Sequence, residues 1–372
     1  MPIRRLLLPA AAAAGTALAI AAAPRPELRP AFAGEPRVVA GPTVALRATP
    51  PGGAHTSLYL ARAGDTATAA APVATFTHLE GAAVRGAVVP GTDTVMAAAD
   101  TTPGRDLSFA ASLFRVAPHR PPELLCDRVV HASRPLVTTA GRVFVSRGVA
   151  GPPLPDAYRI DALTVDEVDP ATGAARAVHA FHGHLVFLAG AFGHELVLYR
   201  VGPAGADLTA VDPDSGAARP IALLLPFARD FSIDAGAGAL VFQERDERDA
   251  RAWTIDRIDL TTGARTHLHT GASMSLAPFA WPGGGVAYNP EGRAGLTLLG
   301  GARPLAEAPL GAGVDGVEAV SADGAWIAAR HTVAGKLPVP FAVDTMTGAA
   351  AALAAPTGTR LEIAGFVTGG GK

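Results

Sequence analysis

The sequence predicts an all-β protein that folds as a single β-propeller, most simply with seven blades of four antiparallel strands. Three observations support this prediction. One hairpin-turn motif occurs four times, its copies recur at regular spacing, and glycine or proline interrupts every stretch that could form a long helix. The chain has 372 residues with 42 glycines and 32 prolines, a composition that favours many turns.

The repeated motif has the pattern Asp-x-x-Thr/Ser-Gly-Ala, and a β-branched residue precedes the aspartate each time. An aspartate side chain accepts hydrogen bonds from backbone N–H groups two residues on, and glycine adopts the left-handed conformation that closes such a loop. The motif therefore predicts structural hairpin turns and not a binding site. The turn residues are Asp169, Gly173, Asp212, Gly216, Asp259, Gly263, Asp344 and Gly348.

The spacing of the motif indicates a repeat architecture. The turn glycines lie 43, 47 and 85 residues apart, and a degenerate turn near Gly301 divides the longest interval in two. Weaker turns near residues 64 and 118 extend the series to seven. A period of about 40–50 residues with several strands per unit is typical of β-propellers. A β-sandwich, the structural alternative, gives no reason for a regular period.

The two ends of the chain are predicted to share one blade. Residues 360–367 alternate as a strand does, and they could supply the inner strand of a blade whose other strands are residues 43–48, 57–62 and 72–76. Pairing of this kind removes exposed sheet edges at both chain ends. We therefore expect the C-terminal strand to close the ring.

Each unit also contains an earlier hairpin, in which a short turn with glycine leads into an apolar strand. The clearest copy is residues 320–328, and others lie at 140–145 and 238–242. These hairpins resemble the turn-plus-strand element of TolB-like and WD-repeat-like propellers, over about residues 37–367, although the Trp-Asp dipeptide itself is absent. The resemblance implies the fold and implies no activity.

The N-terminus reads as an export signal. Arg4 and Arg5 precede an uncharged apolar run at residues 6–23, and Ala-x-Ala sequences at 21–23 and 31–33 are possible cleavage sites. We expect a signal segment at residues 1–33, a propeller domain at 34–372, and a periplasmic or secreted product that leaves the membrane after cleavage. The alternative is an uncleaved N-terminal membrane anchor, for which the run is marginally long enough.

Charge and cysteine content exclude some functions. The formal net charge is −2, and the sequence lacks the strongly basic character of a nucleic-acid binder. Cys126 is the only cysteine, so the chain forms no internal disulfide, and such a thiol usually packs as a small hydrophobe. No cofactor fingerprint is present, so we expect no cofactor, and we expect a monomer.

Histidines are concentrated at His179, His182 and His184, and imidazole is a good ligand for zinc or copper. A turn could bring these three together as a metal site. Alternatively they belong to a loop and to blade packing, because on a strand His182 and His184 share a face while His179 points away. His267 and His269 form a weaker candidate of the same kind.

Long connections between strands are the other candidate sites. Residues 147–158 lengthen one connection and residues 333–340 lengthen another, and insertions in repeat folds tend to lie on one face, often the binding face. Asp156, Tyr158 and Trp253 lie in or next to connections between strands and are possible binding residues. For Tyr158 and Trp253 the alternative is ordinary packing within a strand. The mixed-charge run at 244–251 is typical of a solvated loop.

These observations favour an exported, non-catalytic scaffold that binds a protein or another ligand of the cell envelope. The sequence contains no Gly-x-Ser-x-Gly, phosphate-binding loop or His-Glu-x-x-His motif, and its catalytic residues, if any, cannot be identified. One alternative is a propeller hydrolase or lyase, because propeller sites assemble in the central funnel from different blades. The other alternative is a metal-dependent module at His179–His194, which adds His194 to the three histidines above.

Overall fold

The computed structural model has an all-β architecture in which sheets are arranged around a central channel. No helix that could cross a membrane occurs in the part of the chain it describes. The signal segment, Asp156, Tyr158, Gly301 and Gly348 lie outside that part. The described residues are 41–64, 71–78, 84–101, 111–150, 160–246, 248–249, 251–272, 274, 276–281, 284–290, 296–299, 304–306, 314–321, 324–345, 347 and 349–367.

The described residues form 28 strands. In the first half of the chain these are β1 (Thr43–Thr49), β2 (His55–Arg62), β3 (Ala74–Thr77), β4 (Arg85–Val88), β5 (Val95–Ala99), β6 (Ala111–Val116), β7 (Glu123–Val129), β8 (Leu136–Val137), β9 (Val143–Ala150), β10 (Ile160–Val168), β11 (Ala175–His182), β12 (Leu185–Phe192), β13 (Glu195–Gly202) and β14 (Gly205–Val211). In the second half they are β15 (Ala218–Leu224), β16 (Arg229–Asp234), β17 (Ala239–Arg245), β18 (Trp253–Asp259), β19 (Arg265–Gly271), β20 (Phe279–Trp281), β21 (Gly285–Tyr288), β22 (Leu296–Leu299), β23 (Pro304–Ala306), β24 (Val314–Val320), β25 (Trp326–Thr332), β26 (Val339–Asp344), β27 (Ala350–Ala352) and β28 (Arg360–Val367).

These strands form five four-stranded antiparallel sheets and one eight-stranded sheet. The four-stranded sheets have the strand orders β28-β1-β2-β3, β12-β13-β14-β15, β16-β17-β18-β19, β20-β21-β22-β23 and β24-β25-β26-β27. The eight-stranded sheet runs β11-β10-β9-β7-β6-β5-β4, with β8 paired to β9.

The prediction of seven separate four-stranded blades is therefore wrong in one region of the ring. Strands β4–β11 form a single sheet because Val129, at the end of β7, pairs with Arg147 in β9. Arg128 has a left-handed backbone (φ 60°), and the N–H of Val130 then bonds to the carbonyl of Ser146 at 2.8 Å. The outer strand of one unit thereby continues into the next unit.

The predicted ring closure is confirmed. Strand β28 pairs antiparallel with β1, from Thr43 opposite Val367 to Thr49 opposite Arg360. Strands β2 and β3 complete this sheet. Strand β28 also contacts both β24 and β4, so the C-terminal strand occupies the inner position between the last and the second units.

The repeated turns have the geometry expected of them. In each of the three turns whose glycine is described, the carbonyl of the aspartate accepts the glycine N–H at 2.8–2.9 Å. The aspartate carboxylate also accepts backbone N–H groups two and three residues on, as Asp212 does from Asp214 and Ser215. Gly216 has φ +72°, and a Cβ there would lie 2.7 Å from the carbonyl oxygen of Val178 in the preceding sheet. Each turn therefore abuts its neighbouring sheet at close range.

Arginine side chains join these turns to the preceding group of four strands. Each donates to the carbonyl of the residue after the turn aspartate: Arg115 to Pro170 at 2.7 Å, Arg176 to Pro213 at 2.8 Å and Arg219 to Leu260 at 3.0 Å. The same guanidinium groups pair with Glu123, Glu167 and Glu195. The contacts hold successive units together on one face of the ring.

The apolar core is a series of clusters between neighbouring sheets. One cluster joins Ala45 and Phe76 of the first sheet to Val95 of the second. Another joins Val44 and Ile363 of the first sheet to the last sheet. Successive clusters fill the ring between blades, so the channel at its centre is left to the inner strands.

Strand order assigns the connections to two faces. The inner strands β28, β4, β12 and β16 all begin on one face, and the second strand of each unit returns to that face before the third begins. The arginine-joined turns connect third and fourth strands, so they lie on the opposite face. The two predicted long connections follow β9 and β25, and the mixed-charge run follows β17; all three are second strands. They therefore share the face on which the inner strands begin, as the repeat argument expects.

Candidate anion site at the mouth of the channel

Five arginines cluster where the inner strands begin. Arg360 and Arg85 are the first residues of β28 and β4, and Arg134 lies in the segment that leads into β8. Arg47 and Arg330 occupy the adjoining strands β1 and β25. These side chains are close enough to perturb one another electrostatically, although their positions in the sequence are far apart.

Two carboxylates accompany the five guanidinium groups. Glu362 pairs with both Arg47 and Arg360, at 3.2 Å to the latter. Glu318 pairs with Arg330 and also accepts the backbone N–H of Ile363 at 2.5 Å. Positive charge therefore exceeds negative charge within the cluster.

Burial makes this excess of charge costly. Arg47 is 2% exposed, and its pKa lies well below the ordinary value because of burial first and then the neighbouring Arg85 and Arg134. The pKa of Arg85 is lowered by burial and by Arg134 and Arg360. Among the described residues, Arg47 Nη1, Arg85 Nε and Arg330 Nε have no hydrogen-bond acceptor. Charged donors left in this state destabilise a fold unless something compensates them.

Arg134 shows that the cluster is open to solvent. Its side chain lies deep among protein atoms, and burial lowers its pKa, yet the residue remains exposed. A side chain that protein atoms surround but that solvent still reaches has both properties. A small anion in the channel could therefore reach the cluster, and low-dielectric walls would strengthen its attraction to the arginines.

The channel mouth does not favour acid–base catalysis. A general base must be available to abstract a proton, but Glu318 and Glu362 are both occupied by arginines. The one described histidine–carboxylate pair nearby, His331 with Asp315 at 2.5 Å, is buried, with exposures of 3% and 1%. The arrangement supports binding of an anion better than it supports the hydrolase or lyase alternative.

The histidines predicted as metal ligands do not come together. His179 Nδ1 donates a 2.7 Å hydrogen bond to the carbonyl of Gly216, and its ring packs on Phe181. His184 bonds to the carbonyl of His182 at 2.8 Å. No group of three potential metal ligands occurs in the part of the chain that the structure describes. Proximity in sequence fails here because the turn after β11 sends the rings in different directions.

The other sequence candidates have local roles. Trp253 is 9% exposed, so it is not the exposed anchor that its position suggested. His267 bridges Asp256 and Thr270 at 3.0 Å each, and His269 packs on Tyr288. Arg147 belongs to β9 and pairs with Asp166 at 2.7 Å, so residues 147–150 of the predicted connection form a strand, and residues 151–158 lie outside the described residues.

Cys126 is half-buried in β7, and burial raises the pKa of its thiol to about 11. At pH 7.5 such a thiol is about 100-fold less ionised than an ordinary cysteine, and the thiolate is the reactive form. We therefore expect iodoacetamide to alkylate the native protein at least 100 times more slowly than the urea-unfolded chain, measured by intact mass. Equal rates would show that the thiol is exposed and ionised as in the unfolded chain.

The arginine cluster was not predicted from the sequence. Its members lie one to a strand or loop, and they converge only after the ring closes. One feature of the sequence could have indicated it: a charged residue inside an apolar strand, as in Leu46-Arg47-Ala48. Charged residues are almost never fully buried without a partner, so Arg47 points to a charged neighbour from elsewhere in the chain.

Two surface depressions, of about 410 and 420 Å³, lie away from this cluster. Paired side chains line both of them: Arg142 and Arg176 with Glu167 in one, and Arg115 with Glu123 in the other. The first contains Asp169 and Pro170 of a repeated turn, and the second contains Arg115, which donates to that turn. Both depressions result from the packing of neighbouring turns and strands, and their described lining residues form no further candidate site.

The fold is a TolB-like β-propeller. TolB from Acinetobacter baumannii superposes with a TM-score of 0.52 at 10% sequence identity, covering 87% of this chain and 67% of that one. Dipeptidyl peptidase 4 from Porphyromonas gingivalis gives a TM-score of 0.46 at 11% identity (84% and 53% covered), and an oligogalacturonate lyase in complex with manganese gives 0.44 at 14% (72% and 71% covered). No protein-family model and no curated protein matches the sequence.

Proposed function

We propose that this protein is an exported, non-catalytic binding module that takes an oxyanion of its ligand or partner protein at the channel mouth. The observation that carries the proposal is the cluster of five arginines, among which the described part of the chain places two carboxylates. Guanidinium groups bind carboxylate, sulfate and phosphate oxygens through paired N–H donors. An anion would offset the repulsion between the arginines and would supply acceptors to their unpartnered nitrogens.

Export is proposed from the sequence, on the basic and apolar character of residues 1–23. We also infer that the eight-stranded sheet acts as two blade units, β4–β7 and β8–β11, which gives seven units around the channel. One residue pair joins the halves across the described strands, and each half has the strand order of a four-stranded sheet.

Replacing Arg134 by methionine tests the binding proposal, because the change removes one guanidinium from the channel and retains its length. In chloride, Arg134→Met should stabilise the fold by about 0.5–2 kcal/mol, since repulsion between the arginines falls and no oxyanion is present to compensate it. Sulfate and citrate at the same ionic strength should stabilise the wild type in a saturable manner. The variant should lose at least half of that stabilisation, measured by thermal unfolding.

A matched control separates specific binding from the general stabilising effect of sulfate. Arg120→Met removes an exposed arginine on the opposite face, and it should keep the full response of the wild type. Equal responses of the two variants would contradict a site in the channel.

A further inference from the structure

A second surface, separate from the arginine cluster, carries exposed apolar side chains on the same face. Phe227 is 59% exposed in the connection from β15 to β16, and Met274 is 55% exposed in the connection from β19 to β20. The guanidinium carbon of Arg245 lies 4.7 Å from the ring centre of Phe227 and 5.9 Å from that of Trp253. We refer to Phe227, Arg245, Trp253 and Met274 as the Phe227 platform.

Buried polar side chains hold the platform in place. Gln243 is fully buried, and its amide donates to the carbonyl of Met274 at 2.8 Å. Glu244 is 3% exposed and accepts the N–H of Leu225, two residues before Phe227, at 3.0 Å. Both connections are therefore fixed from beneath, although their apolar side chains remain in water. A surface fixed before binding loses less conformational freedom when a partner docks.

The composition of the platform is that of an interaction surface. Aromatic residues, methionine and arginine are enriched at protein interfaces, and a few such residues provide most of the binding energy. Isolated exposed apolar residues are ordinary, but here Arg229 approaches the sulfur of Met274 at 3.8 Å and Arg245 lies against Phe227. A guanidinium group therefore lies beside each of the two exposed apolar side chains.

The hydrogen-bonding groups around the platform indicate which chemical group a partner would place there. The nearby carboxylates are engaged: Asp230 by Arg229 at 3.1 Å, Glu244 by Arg265, and Asp246 and Asp249 by backbone N–H groups at 2.7 and 2.9 Å. Arg245 instead makes only its two ring contacts with described residues, and its Nε is buried without an acceptor. Among the described residues, Arg245 therefore has donors without an acceptor, whereas each of these four carboxylates already accepts a hydrogen bond or pairs with an arginine.

We propose that the Phe227 platform docks a segment of a partner protein in which an aromatic or aliphatic side chain stands next to a carboxylate. The apolar side chain covers Phe227 and Met274, and the carboxylate reaches the donors of Arg245. The proposal uses none of the residues of the arginine cluster, so it can hold or fail independently of the proposed function.

Trp253 provides a local readout, because it contacts Arg245 and because the sequence holds only two other tryptophans. In a Trp281→Phe, Trp326→Phe background, the probe is a capped hexapeptide with one phenylalanine between two aspartates. We expect the fluorescence emission of Trp253 to change in a saturable manner as the peptide is added. The same peptide with asparagines in place of aspartates, or with alanine in place of phenylalanine, should bind at least tenfold more weakly.

Variants on the protein side make the test decisive. Phe227→Ala and Arg245→Met should each weaken binding of the aspartate peptide at least tenfold. Leu223→Ala, which removes an 83% exposed residue of β15 outside the platform, should leave binding unchanged, and so should Arg134→Met. Absence of any emission change, or equal effects of Phe227→Ala and Leu223→Ala, would overturn the proposal. Loss of binding in Arg134→Met would place the peptide in the channel instead.

Discussion

Replacement of Glu318 by glutamine is expected to destabilise the protein by about 3 kcal/mol. The carboxylate of Glu318 pairs with Arg330 and accepts the N–H of Ile363 in the closing strand β28. Glutamine can keep the bond to Ile363, but it removes one of the two negative charges among five arginines. Without the carboxylate, Arg330 keeps its charge in a largely buried cluster, where it has neither full solvation nor its ion-pair partner. Such an uncompensated charge destabilises the fold.

The measurement is the urea midpoint of unfolding, followed by tryptophan fluorescence. Glu123→Gln is the matched control, since Glu123 also pairs with an arginine, Arg115, but its side chain is 51% exposed. Breaking an exposed pair changes stability by about 0–1 kcal/mol. Sulfate should recover part of the loss in Glu318→Gln, because an anion in the channel replaces the missing charge. Similar midpoints for the two variants would contradict a buried, electrostatically strained cluster.

The fold was predictable where local patterns determine it. The turn motif fixed hairpins at Asp169, Asp212 and Asp259, because an acceptor side chain and a left-handed glycine act within six residues. The closing strand was also predictable, since its alternation is visible in residues 360–367 and an unpaired sheet edge is unfavourable. The fusion of β4–β11 into one sheet was not, because it depends on a left-handed Arg128, and no local rule assigns that conformation to arginine.

The candidate site was predictable only as a location. The repeat architecture predicts that functional residues lie in the central funnel or on the face with the long connections. The arginine cluster lies there. Its residues were missed because Arg47, Arg85 and Arg330 meet through the closed ring, across strands distant in sequence. The histidines illustrate the reverse error: His179, His182 and His184 are neighbours in sequence, but a strand and a turn separate their side chains.

Replacement of Gly216 by alanine should destabilise the protein by about 2–4 kcal/mol through two separate effects. The backbone of Gly216 is left-handed, with φ +72°, and a side chain there costs about 1–2 kcal/mol. A Cβ would also meet the carbonyl oxygen of Val178 at 2.7 Å, and the backbone of the preceding sheet must move to admit it. The carbonyl of Gly216 itself bonds to His179 at 2.7 Å, so this movement would disturb a second contact between the sheets.

Gly141→Ala carries the first effect alone. Gly141 has nearly the same conformation, φ +78°, but nothing lies within 4 Å of an added Cβ. The difference between the two variants in urea midpoint therefore measures the close approach of turn and neighbouring sheet alone. If the two alanine variants unfold at the same midpoint, the turns do not hold the units together. If Gly216→Ala unfolds earlier, the repeated glycine serves both the turn and the packing of the ring, which explains why the motif recurs where blades meet and not where ligands bind.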